Sequence, residues 1–496
     1  MRPTEHKQYI TLSAILALAV AIAFGAFASI PIAIWGFLLV VAIAISYKYP
    51  RLGLWIFLIY LPFSGTVTYA IGQGSPLYLG LKDAFYFPAL IALIQEYRQG
   101  QQPWRIPPLL RLALGLVLLS ILLTLVFANL PQAFVSGAGE SPFLMGVMGL
   151  KILIGYIPLM FCSYYLMRQT QDVFAIARLF VVLALICCLL GFLQYGLLSS
   201  GVCAGTRGLE GQDLFRATLE ARCLVGGSLV FSPEVNLIRL PGTFVSPWQW
   251  SWFLIANGVF SFTAALSDPS RVWKRVSLGA TIAIFLMAVF SGHRLPVLLL
   301  PTFFLILLLL ALLVERRCFF QSWREKSGQL ALVGVVVAIA IAAIVYPPAI
   351  PPGWDATRWE AAPPLLEFIG EQFQFAINSL NGVFGNGLGR ATNAARMFGT
   401  TTLIESYYPK LLYELGFPGL LSVLALVSAV SFLTFKAYRG AIAPHLRLWG
   451  LGIWLFIVSI SYNSFYYPLE VAPVAVYYWW FAGMALKLPQ LNQGEG

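Results

Sequence analysis

Leu295-Pro-Val-Leu-Leu-Leu-Pro-Thr-Phe-Phe-Leu-Ile-Leu-Leu-Leu-Leu-Ala-Leu-Leu-Val314 runs for 20 residues without a charge. As a helix it is about 30 Å long, the thickness of the hydrocarbon layer of a bilayer. Comparable runs lie near 9–27, 30–46, 52–72, 83–95, 109–128, 151–167, 174–196, 247–266, 276–291, 329–346, 417–435, 446–463 and 473–487. The expected fold is an all-α polytopic membrane protein of about 14 (12–14) transmembrane helices with two long periplasmic segments. The fourth run is short and opens at Lys82 and Asp83, and the sixth carries Gly and Pro. Losing either one inverts the topology of everything after it. Composition points the same way: 59% of the 496 residues are hydrophobic and 10% are charged, against roughly a quarter charged in soluble domains. A water-soluble globule is excluded, and continuous apolar runs disfavour a barrel of alternating strands.

The net charge of +11 does not call for nucleic acid, because in this class Lys and Arg first set topology. With both termini cytoplasmic, 20 of the 31 Lys and Arg residues fall inside and 11 outside, and the short inside loops are the basic ones. The first span reads as a retained helix and not a cleaved signal peptide, since a second follows closely and no A-x-A-like site stands out. The chain then divides into N-terminal spans (1–196), a first periplasmic loop (197–246), central spans (247–346), a large, partly helical periplasmic loop (347–416) and C-terminal spans (417–496). Both loops are long and rich in Trp, Phe and Leu, which favours function over disorder.

Cys162, Cys187 and Cys188 fall in spans and Cys318 in an inner loop, where thiols stay buried or reduced. Cys203 and Cys223 share the first outer loop; a disulfide there and two free thiols are both open readings. With only His6, His293 and His445, and no CxxC or HExxH, no zinc site is expected. The absence of a Walker A or GxSxG motif leaves an ATP-driven pump or an α/β-hydrolase without support.

The stretch most informative about chemistry is Gly382-Val-Phe-Gly-Asn-Gly-Leu-Gly-Arg390, followed by Glu405-Ser-Tyr-Tyr-Pro-Lys-Leu-Leu-Tyr-Glu-Leu-Gly-Phe-Pro-Gly419. Its glycines permit a tight backbone that offers N–H groups to an anion. The plainer alternative is a turn entering an interfacial helix, with Leu411, Leu412 and Leu415 on the membrane before Gly416 turns the chain inward. The stretch resembles the hallmark of the O-antigen ligase/polymerase family, G-x-G-x-G followed by H-N-x-Y-L-x-x-L-x-E-x-G and G-x-x-G. The matches are Gly385, Gly387, Gly389, Tyr408, Leu412, Glu414, Gly416 and Gly419; Glu405 and Ser406 stand where the family has His and Asn. That departure leans away from the lipid A-core ligases and towards polysaccharide polymerases. Arg239-Leu-Pro-Gly-Thr-Phe-Val-Ser-Pro247 is similar to the family's R-x-x-G-T-F-x-x-P-N, and Ser291-Gly-His-Arg294 to its S-x-S-R turn.

The resemblance implies an inner-membrane glycosyltransferase that needs no cofactor. It would move a glycan from undecaprenyl pyrophosphate onto a sugar hydroxyl of an acceptor glycan or glycolipid at the periplasmic face. Its partners would be that lipid-linked oligosaccharide donor, the acceptor and membrane lipids. Arginine suits a pyrophosphate because its planar fork donates bidentately and stays ionised near lipid. Arg239 and Arg294 are therefore the catalytic candidates by motif, with headgroup binding or snorkelling as the alternative. Glu405 is the candidate base or acceptor-orienting group, or else a helix cap. Arg390, Arg396, Tyr408 and Lys410 are candidates for holding substrate, while Glu414 reads as structural. The outer aromatics Trp248, Trp250, Trp252, Trp354, Trp359, Tyr407, Tyr408, Tyr466 and Tyr467 suit sugar stacking or an interfacial belt. The competing class is a transporter of a small anion such as inorganic carbon. It would want charges or broken helices near the midplane, where the spans read as nearly charge-free.

Overall fold

In hydrocarbon an unpaired backbone N–H or C=O costs several kcal/mol, so charge-free runs close their hydrogen bonds internally and become helices. The computed structural model describes residues 3–27, 30–75, 77–99, 106–135, 139–207, 209, 223–225, 227, 229–232, 237–315, 334 and 364–491. Over these it is mostly helical, and ten helices among the described residues are long and apolar enough to cross a membrane. The chain is a multi-pass membrane protein. The expected span at 329–346 lies, apart from Gly334, outside the described residues, as do Arg216, Arg222, Arg358, Trp354 and Trp359.

Three other expected spans are not among the ten. The helix Pro3–Phe27 contributes only the shorter apolar stretch Thr11–Ala26. The helices Pro247–Ser267 and Ala472–Leu491 are long enough, at 21 and 20 residues, but more polar and more aromatic than their neighbours. Their position accounts for this. Every residue from Trp250 to Ser267 and from Pro473 to Ala485 is buried, and a helix walled in by protein has no need of a lipid-like exterior. The two touch through Phe260 and Phe481, 4.0 Å between ring centroids. Phe180 of the helix Thr170–Ser199 packs edge-on against Tyr477 at 4.8 Å. Ser163 donates to the Trp480 carbonyl at 2.6 Å, and a Cβ on Gly483 would overlap the Met160 carbonyl.

Two weak spans are resolved as helices. The fourth is Leu77–Gln99, longer than the apolar run suggests, so Lys82 and Asp83 lie within it. Asp83 is held by Lys151 at 2.6 Å. The sixth spans Pro142–Leu166 with a break at 155–158, between the helices Pro142–Ile154 and Leu159–Leu166. At one end of the bundle Arg178 grips Asp268 bidentately, both contacts 2.9 Å, and Arg447 meets Glu315 at 2.7 Å.

The other end carries the two long connecting segments. The first holds a Cys203–Cys223 disulfide and a short antiparallel pair, β1 (Val230–Ser232) with β2 (Leu237–Arg239). The second holds the helix Leu365–Asn378 and a 3₁₀ turn, Asn393–Phe398. It leads into Tyr407–Gly440, which breaks at Gly416 (φ 68°, ψ −171°). Leu411, Leu412 and Leu415 on the first half of that helix are at most 1% exposed. The expected interfacial helix at 407–415 is therefore corrected: this segment is packed inside the protein, and the amphipathic surface helix is 365–378.

Candidate functional site

Three segments far apart in sequence converge at that end. Leu240 N–H, one residue after Arg239, donates to the Ser291 carbonyl at 3.1 Å, and His293 Nε2 lies 3.0 Å from the Leu240 carbonyl. Gly292 (φ 72°) has no room for a Cβ, which would overlap the Ile238 carbonyl. The strand bearing Arg239 is thus locked onto the turn that launches Arg294. The third segment arrives through Tyr466, whose N–H donates to the Glu405 carbonyl at 3.0 Å and whose ring stacks on Trp248 at 3.9 Å. The Arg239 guanidinium lies over the other partner of that stack, 6.0 Å from the Trp248 ring.

Electrostatics tie the four side chains together. Burial, and then the Glu405 carboxylate, push the Tyr466 hydroxyl up to about 12, while Arg239 and Arg294 pull the other way. Burial raises the Glu405 carboxyl above the ordinary carboxylate range, and Arg239 opposes it. Arg239, Arg294, Glu405 and Tyr466 are all half-buried. Tyr466 and Tyr467 both hold left-handed backbone (φ 53° and 34°), a conformation costing of order 1–3 kcal/mol per residue that persists only where surrounding contacts impose it.

The other expected residues fall elsewhere. Arg390 is taken up by Gln132 (Nε to Oε1, 2.9 Å) and Glu140 (Nη1 to Oε2, 3.1 Å). Hydrogen bonds from Thr400, and then Arg390, hold the Glu140 carboxyl down at about 2. Arg396 is exposed and donates to Thr401 Oγ1 at 3.2 Å. Two others are paired inside the protein. The Tyr408 hydroxyl is buried and donates to the Ser461 carbonyl. Lys410 is buried in an ion pair with Glu470 and lies 5.3 Å from the centre of the Tyr467 ring. Each satisfies a partner in the interior.

The glycine-rich stretch does gather N–H groups around an anion, but the anion belongs to the chain. Ala391 N–H donates to Glu414 Oε1 at 2.6 Å, Thr392 Oγ1 reaches the same oxygen at 3.1 Å, and the Gly389 N–H also serves this carboxylate. Asn386 and Gly387 N–H groups donate to the Tyr413 and Glu414 carbonyls, 2.8 and 3.2 Å, which the break at Gly416 frees from helical bonding. Leu388 N–H goes to Asn129 Oδ1 at 2.8 Å, presented by a π-turn over Leu125–Asn129. Gly385, Gly387 and Gly389 all have positive φ (77°, 106° and 88°). A Cβ on Gly389 would strike the Met145 carbonyl. Gly389→Ala is accordingly expected to cost about 1–3 kcal/mol, from strain and overpacking together, read as a lower midpoint of thermal unfolding in detergent.

By sequence Trp248 and Tyr466 suit either sugar stacking or an interfacial belt, and no motif singles out Gln132, Glu140, Asn129 or Glu470. The Pro-Leu-Glu that ends the 462–470 connection, after three aromatics, was the available signal for a structured turn. No protein-family model matches the chain, and no curated protein sequence is significantly similar to it.

Proposed function

We propose that the chain is an inner-membrane glycosyltransferase of the O-antigen polymerase/ligase type, with about 14 transmembrane helices and its reactive face in the periplasm. The observation that carries this reading is the meeting of Arg239, Arg294 and Glu405, drawn from three separate segments, at the end of a membrane bundle. Two guanidinium groups suit the oxygens of a lipid pyrophosphate and the charge that grows on them as it leaves. Glu405 takes the proton of the acceptor hydroxyl. The hydroxyl oxygen bonds to the anomeric carbon with inversion as the bond to pyrophosphate breaks. The glycan ends on the acceptor, and the electron pair leaves with the lipid pyrophosphate. Polymerisation of a repeat unit is the first choice, and ligation of a finished glycan the second.

Glu405→Gln, assayed for transfer of a labelled glycan from undecaprenyl pyrophosphate by purified protein in liposomes, is expected to keep donor binding and lose transfer. Wild-type turnover by that variant would remove Glu405 from the mechanism. Because the base acts as carboxylate and its proton affinity is raised, transfer should fall away on acidification at a pH above the ordinary carboxylate range. A cysteine placed at Thr401 should react with a membrane-impermeant reagent on intact spheroplasts; protection there would refute the periplasmic assignment.

The small-anion transporter has one observation in its favour: a broken helix at Gly416 flanked by buried Lys410, Glu414 and Glu470. Against it, these charges already satisfy one another and the nearby backbone. Anion flux into protein-containing liposomes, abolished by Lys410→Met in folded protein, would favour transport.

A further inference from the structure

The turn that carries Tyr466 is fastened to the segment that carries Glu405. Phe465 and Ser406 form an isolated antiparallel bridge, closed on one side by Tyr407 N–H donating to the Ser464 carbonyl at 2.6 Å and on the other by Tyr466 N–H donating to the Glu405 carbonyl. Ser406 Oγ reaches the Ser464 carbonyl as well, at 3.1 Å, and Phe465 N–H donates to Asn463 Oδ1 at 3.1 Å. Directly after this bridge the chain takes two left-handed residues in succession, Tyr466 and Tyr467. Backbone strain held in place by neighbouring contacts collects at functional sites, where it aims a side chain in a direction that a relaxed chain would not give it.

The side chain so aimed lies where the two halves of the reaction meet. Its ring is stacked on Trp248, the ring over which the Arg239 guanidinium lies. Its hydroxyl stands in the fields of Glu405, Arg239 and Arg294 at once, and Arg294 in turn feels Arg239 and Tyr466. Among the described residues this hydroxyl has no hydrogen-bond partner. The other tyrosines nearby do: the Tyr467 hydroxyl accepts from Asn393 Nδ2 at 3.2 Å, and the Tyr408 hydroxyl donates to the Ser461 carbonyl. A half-buried phenol beside two guanidinium groups and a carboxylate therefore keeps its O–H for a ligand.

We propose that Tyr466 is a fourth catalytic residue, whose hydroxyl donates a hydrogen bond to the pyrophosphate oxygen that parts from the anomeric carbon. This rests on the glycosyltransferase reading. Two guanidinium forks suit the non-bridging oxygens, which leaves the oxygen bonded to the sugar for a single neutral donor. No proton changes hands at Tyr466. Burial keeps the phenol protonated, so it donates, and abstraction of the acceptor proton stays with Glu405. The bond is weak while that oxygen is still bonded to carbon and strengthens as the oxygen takes up the electron pair. Its effect therefore falls on the transition state and the released product, and not on the bound donor.

Tyr466→Phe tests this, because it keeps the ring and its stack and removes only the hydroxyl. With purified protein in liposomes, kcat for glycan transfer should fall about tenfold, the worth of one hydrogen bond to a charged group, with the KM for donor and the thermal midpoint unchanged. Undecaprenyl pyrophosphate, the product in which that oxygen carries its full charge, should bind the variant about tenfold more weakly in a competition assay. Combined with Arg294→Lys, the loss in kcat should fall short of the product of the single losses, since both groups serve one leaving group. Wild-type kcat or wild-type product affinity in Tyr466→Phe would overturn the proposal, as would a loss seen only in KM or in the thermal midpoint. A wild-type protein that binds undecaprenyl pyrophosphate through Tyr466 yet transfers no glycan would sink the glycosyltransferase reading and leave the contact with pyrophosphate standing. A wild-type protein that does neither would overturn both.

Discussion

Replacing Arg294 with lysine is expected to lower glycan transfer about a hundredfold, the scale of losing one preorganised donor to a developing oxyanion. The reason is geometric. An ammonium preserves the charge but not the planar pair of donors, and its shorter reach from the first turn of the helix Arg294–Leu313 leaves the phosphate oxygens to Arg239 alone. Arg239→Lys should behave alike, with an added loss because its guanidinium also lies over Trp248. Since the two cations share one leaving group, the double variant should fall short of the product of the single losses. Near-normal turnover in either Lys variant, with expression and thermal midpoint unchanged, would show that the arginines hold lipid headgroups and nothing more.

The largest effect on stability is expected at Lys410. Lys410→Met leaves Glu470 facing Glu414 in the interior with no cation between them, and removing one partner of a buried pair costs about 3–5 kcal/mol. The double variant Lys410→Met, Glu470→Leu should regain most of that, because both charges then leave together. Thermal unfolding of the detergent-solubilised proteins reads both. If Lys410→Met unfolds at the wild-type temperature, the pair is not holding the broken helix in place.

The apolar runs made the helices readable, since 20 charge-free residues admit few alternatives in lipid. The runs at 247–266 and 473–487 were legible as helices too, although enclosure by protein gives them a Trp, Tyr and Ser content that lowers their hydropathy. One feature escaped that logic. The first half of Tyr407–Gly440 has an amphipathic pattern that suits a membrane surface equally well; only the contacts of Leu411, Leu412 and Leu415 show that it is interior. At the candidate site, short motifs singled out Arg239, Arg294 and Glu405, and the geometry brings them into one neighbourhood. Lys410 and Tyr408 stood in the same motif with the same apparent promise. Their partners, Glu470 and the Ser461 carbonyl, lie more than fifty residues downstream, and no local pattern reveals such a pairing. The glycines fared between the two: their positive φ was foreseeable, but that Glu414 would be the anion they enclose was not.

The enclosed helix Ala472–Leu491 also bears on how the molecule is made. Synthesis delivers helices to the membrane from the N-terminus onward, so this segment emerges when the bundle around its seat is already in place. Beside near neighbours in sequence such as Trp449 and Ser461, its contacts include Ser163, Phe180 and Phe260, which precede it by more than two hundred residues. With tryptophan and tyrosine in place of an unbroken aliphatic run, it is a weak candidate for entering lipid unaided. Its entry should depend on a waiting protein socket, so a bundle lacking part of that socket should leave this helix unplaced.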